Sequence, residues 1–128
     1  MKKYIQHQAP ILPVKDVLKA LEFYRDVLKF DLAWVLEDTY GSVYNGNIEV
    51  HFTKSDKVEA QTLYFFVRNA DQVYQFLKTQ QVDFIEEIQS KSWGMREFVI
   101  RDLDGHRLRI GHGERNKHEI EVLSREIG

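Results

Sequence analysis

Residues 93–112 read WGMREFVIRDLDGHRLRIGH, and the fold follows from how this stretch alternates. Two runs flank the turn Asp102-Leu103-Asp104-Gly105. In the first, Phe98 and Ile100 share one face, with Glu97, Val99 and Arg101 on the other. In the second, Leu108 and Ile110 oppose Arg107 and Arg109. Period-two alternation around a glycine-containing turn predicts an antiparallel hairpin with one buried face. Asp-Gly supplies the positive-φ position that such a turn needs.

The same logic runs outward to the N-terminus. Ala9 to Val14 predicts a short strand, and Pro10 and Pro13 confine it to a sheet edge because neither donates to a ladder. Asp16 is a natural N-cap. Behind it Val17, Leu18, Ala20, Leu21, Tyr24, Val27 and Leu28 recur at helical spacing, predicting a helix over Asp16 to Lys29. Strands follow over Phe30–Glu37, Tyr40–Tyr44 and Asn47–Thr53, with Asn45-Gly46 as a type I′ hairpin signal. Lys54 to Gln61 is a polar connection. The order then repeats: a strand over Thr62–Arg68, a helix over Ala70–Thr79, a strand over Val82–Ile88, and the closing hairpin. Sliding the chain so that Val14 falls on Val67 lays Ala20 on Val73, Leu21 on Tyr74 and Phe23 on Phe76. A recurring element order of this kind is a statement about the whole fold. The expectation is an α+β protein of two βαβββ modules, about residues 7–53 and 62–112. The charged tail, 113–128, is either a short packed helix or a frayed terminus.

The bulk properties narrow the class. At 128 residues the chain forms a single domain, residues 1–128, long enough to bury roughly two thirds of its unfolded surface. A net charge of −2 argues against a nucleic-acid partner, which calls for a basic excess. The absence of cysteine excludes disulfides, thiolate metal sites and a cysteine nucleophile. No apolar run approaches the about 18 residues of a spanning helix, and no apolar run follows Lys2 and Lys3. The expected setting is therefore the cytoplasm, with no membrane partner.

Each strand has a more apolar face. Leu12 and Val14, Ile48, Val50 and Phe52, Leu63, Phe65 and Val67, Phe98 and Ile100, and Leu108 and Ile110 form the expected core. The opposite faces carry Ala9, Ile11 and Pro13; Glu49 and His51; Thr62, Tyr64 and Phe66; Glu97 and Val99; Arg107 and Arg109. That mixture of aromatic, acidic and basic groups is what a small-molecule groove presents. Trp34 and Trp93 flank it. The competing reading is a solvated sheet face or an interface. Among the five histidines only His51 falls on this lining within a central strand, where it is a wall residue or a base. His106, just after the turn, is expected to be exposed, and His112 and His118 match no ligand spacing. No nucleophile elbow surrounds a serine, and no glycine-rich phosphate loop is present.

The stretches APILPVKD, FYRDVLKF and WGMREFVIRDLDGHRLRI, set in the duplicated element order, resemble the vicinal oxygen chelate superfamily. Within it the chain is most similar to the bleomycin-resistance type. The resemblance implies the glyoxalase/bleomycin-resistance fold, with paired βαβββ modules forming an open, curved mixed sheet, and usually a homodimer. Drug-binding members hold a bulky cationic compound in clefts between subunits without destroying it. Enzymatic members bind one divalent metal through four strands. Those ligand positions fall here on Ala9, Glu49 (or His51 in another register), Thr62 and Arg109. Alanine does not ligate, threonine ligates poorly, and arginine repels a cation, whereas a divalent metal needs several donors at one point.

The expectation is thus a protein without metal or other cofactor that sequesters a bulky aromatic or cationic compound. The contact candidates are Trp34, Glu49, His51, Tyr64, Phe66, Trp93 and Arg109; none is assigned a catalytic role. Arg109 is expected to pair with Glu49 across the groove. The alternatives are a glyoxalase-like lyase, isomerase or dioxygenase, or a non-catalytic ligand-sensing module. The small net charge would give a cationic ligand little long-range steering.

Overall fold

The computed structural model describes residues 1–114 and 125–127. Its elements run β1 (Ile11–Val14), α1 (Val17–Asp26), β2 (Asp31–Leu36), β3 (Tyr40–Asn45), β4 (Ile48–Lys54), β5 (Thr62–Phe66), α2 (Ala70–Lys78), β6 (Asp83–Ser90), β7 (Met95–Arg101) and β8 (Arg107–Gly113). The strands form two four-stranded mixed sheets, ordered β1-β4-β3-β2 and β5-β8-β7-β6. In each, the first strand of the module runs parallel to the last, and the other pairs are antiparallel. The tail helix expected beyond Glu114, and His118 with it, falls largely outside the described residues.

Local chemistry sets these boundaries. The Asp16 carboxylate accepts the Lys19 N–H at 3.0 Å, satisfying a donor the first turn of α1 cannot pair internally. Asn69 does the same for α2 through the Gln72 N–H at 3.2 Å. β1 lies at a sheet edge, as Pro13 within it requires. Gly105 has φ 85°, the left-handed conformation expected for that turn. The β3–β4 turn differs from expectation. Asn45 pairs with Ile48, so the loop residues are Gly46 and Asn47, and only Gly46 has positive φ. A type I′ turn requires positive φ at both positions; glycine first and alone is the type II′ pattern.

Val14, Val50 and Phe52 pack beneath Val17, Leu21 and Tyr24 of α1, and Phe98, Ile100 and Leu108 beneath Ala70, Tyr74 and Leu77 of α2, all buried in one cluster. Fully burying a side chain of this size contributes about 1.5–3 kcal/mol, so this cluster is the main stabilising term. Ile48, expected in the core, is exposed because the shifted turn places it at the loop end of β4.

The turn between β7 and β8 ties the two modules together. Tyr24 donates its hydroxyl to Asp102 at 2.8 Å. The Lys15 N–H donates to Asp104 at 3.0 Å. His106 is fully buried, against expectation. Its Nδ1 accepts the Gln61 N–H at 3.0 Å, so its Nε2–H donates to the Pro13 carbonyl at 2.7 Å. A histidine with both ring nitrogens paired is buried at little cost. Burial holds the Asp102 carboxyl above the usual carboxylate range, against the opposing pull of the Tyr24 hydrogen bond. Desolvation, and then Asp102, push the Tyr24 hydroxyl well above its ordinary value.

Candidate functional site

On the outer face of the second sheet, alternation along β5, β7 and β8 brings Tyr64, Glu97 and Arg109 together. Glu97 is only 1% exposed. One carboxylate oxygen accepts the Tyr64 hydroxyl at 2.6 Å and the other accepts Arg109 Nη1–H at 2.8 Å. Arg109 Nη2–H reaches Glu86 at 3.3 Å, and Lys91 donates to the same Glu86 at 2.9 Å. The Lys91 hydrogen bond, then the nearby charges, hold Glu86 below its ordinary range. Desolvation, then Glu97, push the Tyr64 hydroxyl well up, so it remains a donor at neutral pH. Gly111 makes the cluster possible. A Cβ there would lie 2.5 Å from the Tyr64 hydroxyl and 2.8 Å from Glu97 Cβ. Around this neutralised network stand Phe66, 77% exposed and 4.6 Å from the Tyr64 ring, and Trp93, whose ring lies 5.5 Å from Lys91 Nζ.

The first sheet presents a different wall. Trp34 and Tyr40 stack with ring centroids 5.4 Å apart and planes 18° apart. Tyr40 and His51 Nδ1 are 2.7 Å apart, and His51 Nε2 lies 3.3 Å from Glu49. One proton arrangement satisfies all three: the Tyr40 hydroxyl donates to Nδ1, and Nε2–H donates to Glu49. Ser42, flanked in register by His51 and Trp34, is fully buried, and its hydroxyl has no partner among the described residues. The wall is aromatic, and Glu49 is its charge.

The expected Glu49–Arg109 pair does not form. Glu49 stays with His51 on its own strand, and Arg109 pairs with Glu97 and Glu86. Strand register explains the error. Ile11 pairs with His51 and Tyr64 with Arg109. The slide that lays Val14 on Val67 lays Ile11 on Tyr64, so the counterpart of Arg109 is His51, not Glu49. Glu97, Glu86, Lys91, Tyr40 and Ser42 were not among the expected contacts. Alternation does place Glu97 on the lining face, but its partners depend on Gly111 lying beside it.

The superfamily's divalent metal is not suited to these donors. The positions carried over from the resemblance are Ala9, Glu49 or His51, Thr62 and Arg109. Glu49 and both nitrogens of His51 are engaged with each other and with Tyr40, Thr62 accepts Arg107 Nε–H at 3.2 Å, and Arg109 brings a positive charge. Ala9 has no donor side chain. Among the described residues no three His, Cys, Asp or Glu side chains converge as a metal site would need.

The chain belongs to the Glyoxalase/Bleomycin resistance protein/Dioxygenase superfamily, whose family model matches residues 4–110. Solved structures with this fold include TioX from Micromonospora sp. ML1, with TM-score 0.76 and 18% identity over 85% of this chain and 99% of that one. The bleomycin-binding protein from bleomycin-producing Streptomyces verticillus, complexed with copper(II)-bleomycin, aligns with TM-score 0.71 and 20% identity over 86% and 98%. Lactoylglutathione lyase from Agrobacterium tumefaciens aligns with TM-score 0.73 and 17% identity over 87% and 96%. At these identities the likeness is one of fold, shared by a binder and a lyase alike. No curated protein is significantly similar in sequence. No helix among the described residues is long and apolar enough to cross a membrane.

Proposed function

We propose that the protein is a metal-independent, cytoplasmic homodimer that sequesters a bulky aromatic or cationic compound. The observation that carries this reading is the state of the position matching the superfamily's metal site. It holds a guanidinium fixed by Glu97 and Glu86, opposite in kind to a cation site. What the two faces offer instead is stacking surface from Trp34, Tyr40, Phe66 and Trp93, plus the Glu49 carboxylate. Aromatic faces with a nearby anion favour planar and cationic ligands. The bleomycin-binding relative lends support by analogy of fold alone.

Both tryptophans stand among the proposed contacts, so their fluorescence is the natural assay. Titration with bleomycin and with ethidium should quench it saturably, with the ligand recovered chemically unchanged. Trp34→Ala and Glu49→Gln should each weaken binding at least tenfold. Metal analysis and calorimetry with Zn²⁺, Mn²⁺ and Ni²⁺ run in parallel. Stoichiometric metal that is lost in His51→Ala, or conversion of the bound compound, would overturn the proposal in favour of an enzyme.

A further inference from the structure

A concavity of about 710 Å³ lies between the modules. Phe30 of the first module and Phe65, Leu77, Leu108 and Ile110 of the second form its apolar wall. Leu77, Leu108, Ile110 and Phe30 are buried core residues, so this is a gap where the shared core stays open. Along β8, Leu108 and Ile110 alternate with Arg109, which places the gap on the opposite side of the sheet from the Glu97–Arg109 network. Of the contact candidates, only Phe66 reaches it.

The rim has a definite charge. Asn45, Asn47, Gln72 and Arg68 are its polar and charged residues, and no carboxylate is among them. Arg68 is exposed and, among the described residues, makes no ion pair. An apolar interior of this size lies in the range of small-molecule sites. One arginine at its mouth selects an anionic head, since guanidinium binds carboxylate with charge-assisted hydrogen bonds. We infer that this gap is a binding site for an amphiphilic anion, an apolar body ending in one carboxylate, held between the modules with its head at Arg68. The inference does not depend on the binding function proposed for the sheet faces.

The probe is decanoate, kept below its micellar concentration, with decyltrimethylammonium as the charge-reversed control, measured by calorimetry on the full chain. Decanoate should bind once per chain and raise Tm, because it bridges two modules. Arg68→Glu should weaken decanoate at least tenfold and strengthen the ammonium amphiphile. Gln72→Trp, an exposed position on the rim, should block the gap and abolish both. Trp34→Ala should leave decanoate binding unchanged, which separates this site from the sheet faces. Equal binding of the two amphiphiles, unaffected by either rim substitution, would refute the site. So would absence of decanoate binding together with a homodimer that Gln72→Trp dissociates, since the gap would then be an interface between copies.

Discussion

Replacing Arg109 with Met tests whether the guanidinium holds the site together. The substitution keeps the aliphatic bulk and removes the charge. Glu97, 1% exposed in the intact protein, then keeps only the Tyr64 hydroxyl as a partner. Breaking one side of a fully buried ion pair costs about 3–5 kcal/mol, because a charge is left without its counterion. Arg109 itself is 29% exposed, so water enters where it stood and screens part of that penalty. The expected loss is therefore about 3 kcal/mol, read by urea unfolding at pH 7.5. Glu97→Gln in the Arg109→Met background removes the stranded charge, and its amide oxygen still accepts the Tyr64 hydroxyl. The double variant should recover more than about 1 kcal/mol, a coupling typical of groups in one network. A single-variant loss below about 1 kcal/mol, or two strictly additive losses, would show that Arg109 is a solvated surface residue.

Two further outcomes follow from the geometry. Tyr24→Phe removes a hydrogen bond to a buried carboxylate and should cost about 2 kcal/mol at pH 7.5. That bond holds the Asp102 carboxyl down, so its loss raises the folded value further above the unfolded one. The folded state then binds more protons over a wider window above the ordinary carboxylate range, and stability falls as pH rises through it. The deficit should thus shrink toward pH 4 in urea titrations at several pH values, and a pH-independent deficit would contradict the assignment. Gly111→Ala places a methyl inside contact distance of Tyr64, Glu97 and the Arg96 carbonyl. It should cost about 1–3 kcal/mol by overpacking and weaken ligand quenching of Trp93.

The sequence made the fold legible where its signals are local. Alternation, Asp16 as a cap and the two prolines in and just before β1 depend on near neighbours, and the structure agrees with them. The same held for Asp104-Gly105, where only the glycine tolerates φ 85°. At Asn45-Gly46 the turn type depended on which residue faced Ile48, and a one-residue shift changed it. The site was less legible because its pairings are long-range. Glu49 and Arg109 seemed equivalent by element order, yet ladder register matched Arg109 to His51. His106 read as a surface residue because the carbonyl that buries it, that of Pro13, is remote in sequence. No local pattern encodes that partner.

The contacts of the β7–β8 turn also bear on how the chain is made. Tyr24, Lys15 and Pro13 are synthesised well before their partners Asp102, Asp104 and His106. Until then the first module carries an unpaired hydroxyl, amide and carbonyl beside its apolar core. Native completion of the first module is thus deferred until the β7–β8 hairpin arrives. A nascent chain arrested before Asp102 should remain open to proteolysis in α1, and release of a few more residues should close it.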